Sequence, residues 1–198
     1  MSHPGDPQLD AFAVDVCALL ERSVANLYSH LVTRPTGRAV RLAIESQLEE
    51  FRTPALSLVD LSSVAILDYS CADEVIAKLL LRNGERGGGA FFVLRGVQAH
   101  HRDPIQTVLE RHDLAVVAET ASDHFELMGS GSDGERKLWM RLEQLGWVKA
   151  SEVGRLLEEM EETGVQKHLE VLIERHLLFR HPLHGDLHAL STLIQRPV

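Results

Sequence analysis

Apolar positions along the chain alternate between a helical rhythm and short unbroken runs. From Leu9 to Leu31 the residues Phe12, Val16, Leu19, Leu20, Val24, Leu27, Tyr28 and Leu31 recur at helical spacing and predict a helix. Phe12, Val14 and Val16 taken alone would equally satisfy a strand. Thr33 followed by Pro35 is a helix start signal, and Val40, Ile44, Leu48 and Phe51 supply the apolar stripe behind it. Leu56 to Leu61, behind Pro54, alternates too little to be half exposed and predicts a strand covered on both faces. After Val64 to Leu67 the polarity breaks at Asp68, Tyr69 and Ser70, and a helical stripe resumes with Val75, Ile76, Leu79 and Leu80. The spacing of Ser70 and Asp73 predicts a capping box with Ser70 as the cap.

The segment Asn83 to Gly89 is glycine-rich, but it follows a helix and precedes a strand, the reverse of a phosphate-cradling loop. Phe91 to Leu94 predicts another buried strand, Asp103 and Pro104 a helix start for Ile105, Val108 and Leu109, and Leu114 to Val117 a further strand. Strand and helix in alternation imply a mainly parallel sheet. Ala121 to Glu135 is rich in Gly, Ser and Asp and reads as a linker. Beyond it, Leu138, Trp139, Leu142 and Leu145 predict one helix, and Ser151 caps a second with Val153, Leu156 and Leu157. A third begins at Thr163 or Gly164 with Val165, Leu169, Leu172 and Ile173, and a hairpin turning at Pro182 to Asp186 follows. The expected organisation is an α/β domain over residues 1–120, a linker over 121–135 and a smaller domain over 136–198.

The central stretch, Val-Asp-Leu-Ser-Ser-Val, then Ala65-Ile66-Leu67, then Asp68 and a small-residue helix start, resembles the STAS domain of bacterial anti-sigma factor antagonists. With the later elements the likeness covers roughly residues 35 to 118. It implies regulation by contact with a protein partner, such as a regulatory kinase or an anti-sigma-like protein. In that family a hydroxyl residue directly after the aspartate is phosphorylated to release the partner. Here Tyr69 stands in that position and Ser70 and Cys71 follow, without the family's glycine. The resemblance therefore implies a partner-binding or switch surface at Asp68, Tyr69, Ser70 and Asp73. The run VQKHLEVLIERHLLFRH resembles the recognition helix and first wing strand of bacterial winged-helix regulators, over roughly residues 136 to 194. That second likeness makes Gln166, Lys167 and His168 the DNA-contacting candidates.

Charge weighs against nucleic acid. Residues 135–198 hold 9 Lys+Arg against 10 Asp+Glu, leaving 11 and 19 of the chain's 20 and 29 to the first 134, so neither part has a basic excess. Glu158, Glu159, Glu161 and Glu162 precede the third helix and would meet phosphates. Arg34, Arg38 and Arg41 lie near the start of a helix, where cations oppose the dipole and call for an anion. Either a bound phosphate or carboxylate, with Arg34 and Arg38 as its ligands, or a neighbouring Asp or Glu would answer. His100, His101 and His112 read as solvent-facing, and His181, His184 and His188 as exposed residues of a wing rather than metal ligands. Cys17 and Cys71 have neither metal nor disulfide spacing and read as reduced. No nucleophile, metal set or phosphate loop points to an enzyme, and no cofactor is implied. With no apolar run of about 20 residues and no signal-peptide pattern, the expectation is a cytosolic bacterial regulator. It acts through a protein partner or a homodimer, with a winged-helix transcription regulator carrying a STAS-like sensory domain as the alternative.

Overall fold

The computed structural model describes residues 10–15, 30–50, 54–85, 89–121, 124–160 and 164–194. The chain runs through β1 (Asp10–Asp15), β2 (His30–Leu31), α1 (Arg34–Glu50), β3 (Ala55–Asp60), β4 (Ile66–Leu67) and α2 (Tyr69–Ala72). A π-helical turn, Asp73–Ala77, joins α2 without a break to α3 (Lys78–Glu85). Then follow β5 (Ala90–Arg95), α4 (Ala99–Arg111), β6 (Ala115–Ala121), β7 (His124–Gly129), α5 (Asp133–Leu145) and β8 (Trp147–Val148). The chain continues with α6 (Ala150–Glu159), α7 (Val165–Glu174), β9 (Leu178–Arg180), β10 (Leu187–Ala189) and a 3-10 turn at Leu190–Leu193.

The main sheet has the order β1-β3-β5-β6-β7, parallel except for the antiparallel β7 edge. Its parallel strands are added in one direction only, so crossovers of one hand leave their helices on one face. The packing agrees. Val40 and Ile44 of α1, Val75 and Ile76 of the π turn and Ile105, Val108 and Leu109 of α4 share a core with Val59, Leu61, Phe92, Leu94 and Val116. The opposite face, with Leu56, Leu58, Phe91, Val93, Val117 and Leu127, would be bare without a second layer. The C-terminal helices supply it, and Leu138, Trp139, Leu142, Leu169, Leu172 and Phe179 complete that second core. Phe91 and Phe179 meet edge to face at 5.5 Å between ring centroids, a favoured aromatic geometry.

The expected helix over 9–31 gives way at Asp10–Asp15 to a strand in register with β3; residues 16–29, including Cys17, lie outside the described residues. Pairing with a buried neighbouring strand outweighs the helical rhythm, and Phe12 and Val14 suit a strand's period of two. Of the stretch 121–135, expected as a linker, residues 124–135 are built into the fold. His124–Gly129 pairs antiparallel with β6, and Ser132 caps α5 by accepting from Glu135 N–H at 3.2 Å while Glu135 reaches back to Ser132 N–H. Its Gly and Ser residues serve a turn and a capping box rather than a tether. Arg136 fastens the same corner by donating to Leu127 O at 2.8 Å and to Gly129 O.

In the C-terminal layer α5, α6 and α7 are accompanied by a three-stranded antiparallel sheet of order β8-β10-β9. Ser151 is not the start of α6, which begins at Ala150, whose N–H is taken at 2.9 Å by Asp186 Oδ1 across the hairpin turn. No described helix is long and apolar enough to cross a membrane.

Candidate functional site

The Asp68 turn lies at the carboxyl ends of the parallel strands and is held from three sides. Asp68 N–H donates to Leu31 O at 2.9 Å, which docks the turn against β2. The Asp68 side chain, not Ser70, caps α2. Its Oδ1 accepts from Cys71 N–H at 2.8 Å, and Ser70 Oγ–H donates to the same oxygen at 2.8 Å. The expected capping box fails because a carboxylate two residues earlier reaches the first-turn amides, and Asp73 is drawn elsewhere. Cys71 is buried, donates through Sγ to Thr33 O at 2.9 Å, and burial pushes its thiol up to about 11. It is a packing residue at neutral pH.

From the third side α4 stitches the preceding loop. Gln98 Nε2–H donates to Ser62 O at 3.2 Å. His101, expected to face solvent, is fully buried; its Nδ1 accepts from Gln98 N–H at 3.2 Å and its Nε2 lies 2.7 Å from Val64 O. Those partners select the neutral tautomer with the proton on Nε2. Helix α4 starts at Ala99, one turn before the expected Asp103 and Pro104, because His101 takes the third-position capping role usually given to Glu or Gln. Burial holds the His101 pKa below its ordinary value, against the pull of the Val64 carbonyl. An unfolded-chain imidazole takes a proton near pH 6.5 and the buried one only at lower pH. Through that interval the unfolded chain holds more protons, so stability is full above about pH 7 and falls on acidification. Urea midpoints of the wild type should therefore fall as pH drops from about 7 towards 5.5, and those of His101→Gln should fall less.

Gly96 brings the loops after β3 and β5 together. Its φ is +68°, and an added Cβ would lie 2.8 Å from both Ser62 N and Ser62 Cα. Gly96→Ala should cost about 2 kcal/mol or more, read as a lowered unfolding midpoint, because backbone cannot yield as a side chain can.

On this frame three large apolar side chains remain in water. Ile66 is 46% exposed, Tyr69 48% and Val32 45%. Period-two alternation accounts for two of them: β2 pairs with β4 in parallel, Leu31 and Leu67 turn inward, and His30, Val32 and Ile66 turn out. Tyr69 donates its hydroxyl to Asp103, and that bond raises the phenol pKa. The aromatic ring is thus held in one orientation at the surface.

The anion that the α1 arginines call for is intramolecular. Arg34 bridges Asp73 and Glu74, each at 3.0 Å, while Arg41 binds Glu45 at 2.5 Å and Glu74 at 3.6 Å. Lys78 joins both carboxylates, Arg82 reaches Glu45 at 3.4 Å, and His112, also expected to face solvent, sits 2.8 Å from Asp73. Burial alone would push Asp73 and Glu74 up. The bonds from His112 and Arg34 to Asp73, and from Lys78 and Arg34 to Glu74, outweigh it and hold both below the ordinary carboxylate range. Arg38 is exposed and has no ion pair among the described residues.

The DNA-contacting candidates do not converge. Gln166 donates to Glu170 at 3.1 Å, Lys167 is exposed, and His168 lies half-buried on Gly134 of α5, where any Cβ would strike the imidazole. The outer face of α7 carries Glu170 and Glu174 beside Lys167. Glu161 and Glu162 are outside the described residues. His181 and His184 stack on each other, His181 Nδ1 accepts from Leu183 and His184 N–H at 3.2 Å, and His188 packs against Trp147 and Phe179. Among the described residues no three His, Cys, Asp or Glu side chains are grouped to hold a metal ion.

Comparison with protein families, with curated proteins and with solved structures finds no match for this chain.

Proposed function

We propose that the chain is a cytosolic bacterial regulatory protein that acts through a protein partner docked on the Asp68 turn, in the manner of the STAS-like domain it resembles. The carrying observation is the exposed trio Val32, Ile66 and Tyr69 on a turn pinned by β2, α2 and α4. An exposed tyrosine is a common anchor of protein interfaces, and one whose hydroxyl is already held by Asp103 loses little side-chain freedom on docking. Ser70 bonds Asp68 and Tyr69 bonds Asp103, so a phosphate on either would break a bond that shapes the turn. A photo-crosslinking residue placed at Ile66 in cells should give a discrete protein adduct that Tyr69→Ala abolishes. The same residue at Leu183, on the hairpin turn, should not give that adduct. No adduct from position 66, or one equally strong from 183, contradicts the docking surface.

A second reading, DNA binding by a winged helix, is favoured by one observation. The C-terminal order of helix, strand, two helices and two strands, with a three-stranded antiparallel sheet, supports that reading. The acidic outer face of α7 and the inward His168 favour its use as a structural layer. Fluorescence anisotropy of mixed-sequence duplex DNA with the full chain at low salt decides: no rise is expected, and a salt-sensitive rise lost in Lys167→Ala would promote this reading.

A further inference from the structure

We propose that the chain has a binding site for a small apolar monocarboxylate at the junction of the sheet's helical layer and the C-terminal layer, at the opposite end of the parallel strands from Tyr69. A cavity of ≈ 200 Å³ opens there, with Leu80, Phe92 and Val116 from one layer and Arg175, His176 and Leu177 from the other. Its volume lies below the roughly 300–1,000 Å³ of sites for drug-sized ligands, which limits the occupant to a compact molecule. The walls are mostly hydrocarbon, so the body of the ligand is apolar.

The polar rim fixes the other end. Asn83 is tied to the backbone of Ala90, donating to its O at 2.8 Å and accepting from its N–H at 3.2 Å. Arg175 spends one nitrogen on Ser130 O at 3.1 Å, and its other contact is Asp113 at 3.3 Å, a carboxylate side chain 78% exposed. A carboxylate held so loosely in water is readily exchanged for one brought by a ligand, and guanidinium suits carboxylate geometry. Asp113 and Glu174 stand on the same rim, so a second negative charge on the ligand is disfavoured.

Backbone strain marks the same place. Among the described residues the non-glycine positions with positive φ are Asp113 at 51° and His176 at 58°, and both line this cavity. Each follows the end of a helix, where glycine would adopt the left-handed turn at less cost. Side chains occupy both positions nonetheless, Asp113 against Arg175 and His176 edge-on to Phe91 at 4.9 Å. Both left-handed residues end their helices, where Leu114 N–H returns to Leu109 O and Leu177 N–H to Leu172 O, and both stand on the rim beside Arg175.

The test is calorimetric titration of the full chain with benzoate and hexanoate and with their neutral amides. The carboxylates should bind, and the amides should bind about tenfold more weakly or not at all, the worth of one charge-assisted contact. Leu80→Trp, which fills the cavity, should abolish binding. Asp113→Asn, which keeps a residue tolerant of positive φ but removes the competing charge, should tighten carboxylate binding several-fold and leave the amides unchanged. Equal binding of acids and amides, absence of binding to the wild type, or unchanged affinity in Asp113→Asn overturns the site. The Asp113 variant decides the matter even if Leu80→Trp does not fold.

Discussion

Arg41→Ala is expected to lower the unfolding free energy by about 3–5 kcal/mol, the cost of leaving buried charge without its partner. Arg41 is 3% exposed and lies between Glu45 and Glu74, whose side chains are 7% and 5% exposed. Removing the cation strands both carboxylates in a place that water scarcely reaches. Lys78, Arg34 and Arg82 remain, but these are between 35% and 54% exposed and touch the pair from the rim. Arg34→Ala, by contrast, should cost about 1 kcal/mol or less, since exposed partners contribute little. Urea titrations of the two variants with an unchanged slope would measure the contrast; similar losses in both would show that the network has no buried centre. Its carboxylates, held below their ordinary range, add stability that is present at neutral pH. That stability is lost only as pH falls below about 4, separately from the His101 effect nearer pH 6.5.

Trp139→Ala should cost about 3–5 kcal/mol, as large-to-small changes in a tight core do. Trp139 is 2% exposed and belongs to the core shared by the bare face of the sheet and the C-terminal helices. Its indole N–H has no hydrogen-bond partner among the described residues, so Trp139→Phe should lose packing only and cost far less. Because the second face of the sheet has no other cover among the described elements, the loss should not be confined to the C-terminal layer. Circular dichroism, which follows the whole chain, and tryptophan fluorescence, which reports Trp139 and Trp147 in the wild type and Trp147 alone in the variant, should give coincident transitions in each protein. Separate transitions would mean that the two layers fold independently.

The alternation of strands and helices from Ala55 onward was legible because buried strands and amphipathic helices leave different periods; Val75, Ile76 and Leu79 are buried and Leu80 packs half-buried against them, as their spacing implies. Three things were not legible. Asp68 outcompetes Ser70 as a cap only because the chain enters from β4 in an extended conformation, φ −88° and ψ 167°, which sequence spacing does not encode. His101 is buried because α4 begins a turn early, although a histidine at the third helical position could have been weighed as a capping residue. The linker reading of 121–135 rested on composition, and Gly129 illustrates why it misled. At φ +93° it is a strand-ending turn whose N–H donates to Gln106 at 2.9 Å, so the glycine answers a tight backbone corner. As for the site, Tyr69 was singled out by its place after Asp68, whereas the outward placement of Val32 and Ile66 depends on the pairing of β2 with β4, a long-range contact.

The docking surface is tested most directly by quantitative affinity enrichment from cells expressing the wild type, Ile66→Glu with Tyr69→Ala, and Leu183→Glu, all at matched abundance and folded by circular dichroism. Leu183 is 84% exposed on the hairpin turn and serves as an equally apolar surface elsewhere. At least one protein should co-purify with the wild type and with Leu183→Glu and be lost with the Ile66 and Tyr69 substitutions. A partner set unchanged by those substitutions would contradict the Asp68 turn as the surface through which this protein acts.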